Sequence, residues 1–216
     1  MTDRQNKIFL ALPSCEVFAD VGCDHGYLAN AMLKSGKCKR AIISDISAKC
    51  LKKAEELLSE YIEKGVVESA VSNGFDNISK SDLALIAGMG GEEIVAIMER
   101  AFLQDKLPEK LVLQPMKNCD KVRVTALKLG YAIEYDKVFK SARKYYNLIV
   151  LKRGSDTLTQ EEIEFGRDNL RELHQDFTDM LKDTLGKLTA VLEGENLSEE
   201  VRNSVQKRVD KIKKYV

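Results

Sequence analysis

From residue 16 to residue 153, short β-branched apolar runs alternate with longer stretches whose apolar positions recur at helical spacing. The strand-like runs cover residues 17–21, 41–45, 83–87 and 110–113, with a weaker one at 66–71. Between them, residues 27–34, 48–64, 91–103 and 121–129 carry the periodicity of amphipathic helices. Strands that are apolar along their whole length are buried on both faces. The pattern therefore predicts a parallel sheet with helices on either side, a doubly wound α/β domain. It then changes: residues 131–139 alternate, and residues 145–151 are strand-like after the short linker 140–144. No helix fits into so short a connection, so this pair is expected to be an antiparallel hairpin.

Beyond Gly154 the strand signal stops. Thr159 followed by Glu162 has capping-box form and is expected to open one long helix. Its apolar residues Leu170, Leu173, Phe177, Leu181, Leu185, Leu188 and Leu192 step by three or four. Residues 193–196 interrupt the pattern, and Ser198 is placed to cap a second helix carrying Val201, Val205, Val209 and Ile212. The expectation is an antiparallel helical hairpin with a coiled-coil-like seam, dividing the chain into residues 1–154 and 155–216. Two uses for the hairpin stay open, a packing or dimerisation arm and an arm that grips a substrate.

Composition adds bounds. The chain has 216 residues, 44% of them hydrophobic and 31% charged, which is globular rather than disordered. The apolar run near the N-terminus is short and no run is long enough to span a bilayer, so a cytoplasmic protein is expected. Cys15, Cys23, Cys38, Cys50 and Cys119 are never spaced as C-x-x-C, and only two histidines accompany them. Free thiols are expected, with no metal site.

Basic and acidic residues balance at 34 each, which argues against a uniformly basic nucleic-acid binder. The balance is uneven along the chain. Residues 106–153 carry 12 basic against 4 acidic side chains, residues 156–200 carry 4 against 13, and residues 201–216 carry 6 against 1. Lys117, Lys121, Arg123, Lys140, Arg143 and Lys144 are candidates to follow a phosphate backbone, with solvated helix-surface cations as the alternative. A directional contact is expected, with the acidic segment turned away.

The densest chemistry lies in Asp20-Val21-Gly22-Cys23-Asp24-His25-Gly26-Tyr27, at the turn from the first strand to the first helix of the alternating region. Glycine there permits a tight turn and close approach of a ligand, as in many nucleotide sites. A pyrophosphate needs bare backbone N–H groups, yet this turn carries the carboxylates Asp20 and Asp24. Paired carboxylates repel a phosphate and suit a ligand bearing an ammonium and a sulfonium, as S-adenosylmethionine does. Asp45, ending the second strand, is placed to accept both hydroxyls of a ribose, with Ile46 beside it. Asn73-Gly74-Phe75-Asp76 follows the third strand and offers groups for an adenine edge. Phe75 either covers the adenine face or packs in the core. Gly88-Met89-Gly90-Gly91 ends the fourth strand without the Lys-Ser/Thr of a P-loop.

These segments occur together with Leu113-Gln114-Pro115, and in this order the chain resembles the bacterial tRNA (adenine-22, N1)-methyltransferase family. The resemblance runs from Arg4 to about Lys152, and the helical hairpin also resembles that family's C-terminal arm. It implies a class I methyltransferase fold: a Rossmann-like sheet of five βα units closed by an antiparallel hairpin. It implies S-adenosylmethionine as cofactor and N1 of a tRNA adenosine as acceptor. Carried over position by position, it implies a pocket of Asp20, Gly22, Cys23, Asp24, Tyr27, Asp45, Ile46, Asn73, Gly74, Phe75, Gly88, Met89, Gly90 and Gly91. Cys23, Gly26 and Ala29 depart from the usual small hydroxyl residue, alanine and proline. Adenine N1 is uncharged near neutrality and has a lone pair, so positioning outweighs deprotonation. Asp24, His25, Tyr27 and Gln114 are the candidates for positioning the base, with Met89 and Asn118 behind them. His25 is either a proton acceptor or a structural side chain, and His174 is expected to be exposed on the long helix. A single chain is expected to suffice.

Overall fold

One seven-stranded sheet in the order β3-β2-β1-β4-β5-β7-β6 organises the computed structural model, which describes residues 1–194 and 197–216. Strands β1 (Val17–Val21), β2 (Arg40–Asp45), β3 (Val67–Val71), β4 (Leu83–Met89) and β5 (Lys110–Pro115) run parallel. The long strands β6 (Tyr131–Ser141) and β7 (Lys144–Arg153) form the expected antiparallel hairpin, which joins the sheet through β7 against β5. The order reverses between β1 and β4. In an open α/β sheet the crevice outside the strand ends at such a reversal is where ligands bind.

Helices cover both faces. On one lie α1 (Asp3–Ala11), α2 (Tyr27–Lys34) and α3 (Ala48–Leu57), over a core that includes Ile8, Phe18, Met32, Ile43 and Leu58. On the other lie α5 (Gly91–Leu103) and α6 (Cys119–Lys128), over Ile42, Phe75, Ile86, Met98 and Leu113. Helix α1 was not read from the sequence, although Thr2 and Gln5 form a complete capping box at its start. The helix expected over residues 48–64 is two, α3 and α4 (Ser59–Glu63), parted at the fully buried Leu58.

The C-terminal segment departs further from expectation. The single helix expected from Thr159 to Leu192 is three: α7 (Gln160–Phe165), α8 (Arg167–Glu172) and α9 (Gln175–Leu192). Breaks fall at Gly166, with φ +89°, and at Leu173, with φ +45°. A Cβ on Gly166 would stand 2.7 Å from Asn169 Nδ2 and 2.9 Å from the Arg123 guanidinium, so only glycine fits there. The breaks serve the sheet edge. Strand β6 is an outer strand, and its outward N–H groups need acceptors. Asp156 accepts from Ile133 N–H (3.1 Å), Asp168 from Asp136 (2.9 Å), Asn169 from Val138 (2.8 Å) and Asp176 from Lys140 (2.9 Å). A straight helix cannot deliver acceptors to N–H groups that fall two residues apart along the strand, and three apart across the irregularity after Ile133.

Helix α10 (Glu199–Ile212), capped by Ser198, packs on α9, and a third core of Val138, Phe165, Phe177, Leu181 and Ile212 forms between these helices and β6. The helical pair is therefore present. Of the expected break at residues 193–196, Glu193 and Gly194 close α9, whereas Glu195 and Asn196 lie outside the described residues. Arg123 locks the junction. It is fully buried and grips Asp136 through Nε (2.6 Å) and Nη2 (2.8 Å), and it donates to the carbonyl of Ile163 (3.0 Å). This overturns its expected place among the RNA contacts, because an arginine with no exposed surface and a buried carboxylate partner cannot reach a phosphate. His174 is corrected as well. It sits half-buried at the start of α9 with Nε2 3.0 Å from Asn169 Oδ1, and burial and Lys137 lower its pKa.

Candidate active site

The crevice is built from four strand ends. After β1 the chain turns at Gly22, with φ +76°, where a Cβ would collide with the Met89 side chain lying across the turn. Gly22 and Cys23 donate N–H bonds to the Ser44 carbonyl, at 2.8 and 3.0 Å. Asp24 donates its N–H to Asp45 Oδ2 (3.2 Å), and Asp45 Oδ1 accepts from Ser47 at the start of α3 (2.8 Å). Each Asp45 oxygen thus holds one backbone donor and keeps lone pairs for a further one. After β3, Ser72 Oγ donates to the Gly74 carbonyl (2.9 Å) and accepts from Asn77 N–H (3.0 Å), fixing the turn that presents Asn73.

These elements enclose a cavity of about 280 Å³ lined by Asp24, Asp45, Ile46, Asn73 and Glu93, the Gly22, Gly74 and Gly88 backbone, Met89 and Arg4. Its charge is lopsided: three carboxylates and one guanidinium. Ile46 is 69% exposed, an apolar side chain held at the mouth and left largely uncovered by the described residues. Two larger cavities, about 650 and 600 Å³, lie against α1 with β6 and β7 and beside α6, α7 and α9. Neither combines a glycine turn with strand-end carboxylates, so the chemistry favours the smaller one.

Around it, sequence expectation and geometry part in several places. Gly22, Asp24, Asp45, Ile46, Asn73, Gly74, Gly88 and Met89 are brought together at the cavity wall, whereas six expected members are not. Asp20 is buried one layer below, where its Oδ2 accepts from Ala29 N–H at the start of α2 (3.3 Å). Burial foremost, with the charge of Asp45, pushes its carboxyl up to about 7. The Cys23 side chain is buried and its thiol is raised by burial, so it faces the core. Phe75, 2% exposed, packs with Ile86 and Ile97, which decides its alternatives for the core. Gly90 lets the Lys117 side chain, and Gly91 the backbone of residues 117 and 118, lie against the start of α5. Tyr27 stands at the rim, stacked on His25 with ring centres 5.6 Å apart.

Of the base-positioning candidates, His25 Nδ1 lies 2.8 Å from Asp24 Oδ2 at the exposed rim. Gln114 is fully buried: Oε1 accepts from Arg4 Nη1 (2.9 Å) and Nε2 donates to the Pro115 carbonyl (3.1 Å). It cannot meet a base directly, and it acts on the crevice through Arg4. Arg4 and Glu93 were both missed. The signal for Arg4 was the Thr2–Gln5 capping box, which makes residues 3–11 a helix able to reach back over the sheet. Asn118 adopts a left-handed conformation, φ +53°, at the start of α6.

The remaining cationic candidates share the crevice end of the sheet. The pairing of Leu113 with Ile149 and of Ser141 with Lys144 carries the β6–β7 tip past the end of β5, so Lys140, Arg143 and Lys144 project there. Lys117 lies on the loop after β5, and Lys121 is tied to Glu92. Arg143 and Lys144 are exposed and make no ion pair among the described residues. All five cysteines are free, and among the described residues no helix is long and apolar enough to cross a membrane.

Comparison with known proteins gives the chain its relatives. The family model for tRNA (adenine(22)-N(1))-methyltransferase matches residues 18–215. The Bacillus subtilis tRNA (adenine(22)-N(1))-methyltransferase is 31% identical over 162 residues, 71% of this chain and 66% of that protein. A Mycoplasma pneumoniae relative is 33% identical over 112 residues, half of each chain. The chain thus spans between half and 66% of the length of these curated relatives. Among solved structures, that of Mycoplasma capricolum TrmK with S-adenosyl-homocysteine superposes with a TM-score of 0.86 at 26% identity, covering 100% of this chain and 97% of that one. A Streptococcus agalactiae protein of the NADB-Rossmann superfamily superposes with a TM-score of 0.91 at 26% identity, covering 100% and 96%.

Proposed function

Because the chain belongs to the tRNA (adenine(22)-N(1))-methyltransferase family, we propose that its crevice binds S-adenosylmethionine and methylates N1 of adenosine 22 in tRNA. The observation that carries this reading is the crevice itself: a glycine turn clasped to Asp45, three carboxylates and an uncovered isoleucine. That set suits the cofactor part by part. Asp45 has free lone pairs for the ribose hydroxyls, Ile46 offers an apolar face to adenine, and Asp24 and Glu93 favour a cationic aminoacyl end over a phosphate. When bound, S-adenosylmethionine supplies a methyl group on a sulfonium.

The protein's own task is then positioning. Attack by N1 needs no prior deprotonation and passes the positive charge of the sulfonium to the adenine ring, so the crevice must align the base, exclude water and tolerate a cationic product. The Asp24 carboxylate, held at the rim by His25 Nδ1 at 2.8 Å, is placed to favour that cation. The base must leave its stack to enter, at a cost of a few kcal/mol. Lys117, Lys140, Arg143 and Lys144 border the entrance and are read as its phosphate contacts; Lys121, already paired with Glu92, contributes less. The helices of residues 155–216 form a second unit that packs on the sheet edge and continues this surface. Arg208 of α10 lines the same cavity as Asn118, which brings the basic C-terminus beside the loop after β5. One chain builds the whole crevice, so a monomer suffices, working where tRNA is, in the cytoplasm.

The test is mass-spectrometric mapping of tRNA incubated with the protein and S-adenosylmethionine. One new N1-methyladenosine, at position 22, is expected. RNA left unmodified under an excess of enzyme would sink the reading.

A further inference from the structure

We infer that Arg4, reaching over the sheet from α1, holds the carboxylate at the aminoacyl end of the cofactor. The inference rests on the cofactor reading above and assigns a role that reading lacks. S-adenosylmethionine has a single anionic group, and the crevice that would receive it is lined by Asp24, Asp45 and Glu93. An anion enters such a wall only beside a cation, and Arg4 is the one cationic side chain among the described lining residues.

Its surroundings orient it without using it up. Nη1 donates to Gln114 Oε1 (2.9 Å), and the guanidinium lies 5.7 Å from the centre of the Tyr146 ring. Both partners are uncharged. Two other arginines that face inward are treated differently: Arg123 is neutralised by Asp136 at 2.6 Å and Arg100 by Asp76 at 2.8 Å. No carboxylate bonds Arg4, and its Nη2 has no hydrogen-bond partner among the described residues. The open side faces the end of β4: a Cβ on Gly88 would stand 3.4 Å from Nη1 and 3.8 Å from Nη2. A fork presented this way matches a carboxylate. Gln114, first expected to position the base, becomes the positioning residue for Arg4.

The experiment compares two ligands by calorimetry without RNA: S-adenosyl-homocysteine, and its decarboxylated analogue, which keeps the nucleoside and the amine. The natural protein is expected to prefer the carboxylate-bearing ligand by roughly tenfold to a hundredfold, the worth of a charge-assisted bond. Arg4→Gln should erase that preference by weakening the first ligand alone, and Arg4→Lys should retain part of it. Undiminished binding of the decarboxylated analogue to Arg4→Gln reports that the pocket is still folded. A preference that persists in Arg4→Gln overturns the assignment, as does equal weakening of both ligands, while leaving the cofactor reading intact. Binding of neither ligand to the natural protein removes the cofactor reading and this inference together.

Discussion

Asp20 differs from every other carboxylate near the crevice in being almost wholly buried. Its folded-state pKa of about 7 lies above the roughly 3.9 of an unfolded aspartate. Between those values the folded chain holds a proton that the unfolded chain has released, so raising the pH through this window favours unfolding. The contribution of Asp20 is thus most favourable below about pH 4 and is lost as the pH climbs to 7. Asp20→Asn keeps an acceptor for Ala29 and cannot ionise. Urea melts at about pH 5 and about pH 8 should show the natural protein losing more stability across the interval than Asp20→Asn does. Equal losses would mean that Asp20 stays ionised throughout. The sequence marked Asp20 as important but not how, because depth below a loop leaves no trace in residue spacing. Asp45 was legible for the opposite reason: the last residue of a parallel strand must face the crevice.

At the level of elements, what was legible followed from period. Five parallel strands, the β6–β7 hairpin and the terminal pair of helices each wrote a pattern several residues long. What failed was continuity. A helical period of apolar residues runs unbroken from Leu170 to Leu192, yet Leu173 takes a left-handed turn so that Asn169 and Asp176 can serve one strand. Such a demand comes from a partner distant in sequence. The same distance hid Arg123, whose place in a basic stretch suggested a surface role although its partner is Asp136. Arg123→Ala should cost about 3–5 kcal/mol in urea melts, since it leaves a buried carboxylate without its counter-charge. A variant of natural stability with weakened tRNA binding would return Arg123 to the RNA surface.

For the molecule as a whole, zero net charge conceals an orientation. The hairpin tip, the loop after β5 and the end of α10 bring cations to the crevice end, while much of the acidic segment is spent on the sheet edge and on pairs such as Lys211–Glu164. Binding of tRNA should therefore weaken steeply with salt despite the neutral total. Removing one cation that neutralises a phosphate should lower the slope of log affinity against log salt by about 1. Arg143→Ala should show that change in filter-binding titrations with its fold and cofactor affinity intact. An unchanged slope would place the tRNA on another face.

Synthesis of the chain gives the side-chain cover of β6 a temporal meaning. The strand joins the sheet only through β7, complete at Arg153, and the last side chain that satisfies its edge is Asp176. At about 5–20 residues per second, the stretch between Arg153 and Asp176 takes a ribosome roughly one to five seconds to deliver. For that interval each nascent chain carries a sheet with an open border, available to any neighbouring chain on the same message. The helices that cover the edge are thus a closure that arrives late, and until they dock the border is open to pairing with other copies of the chain.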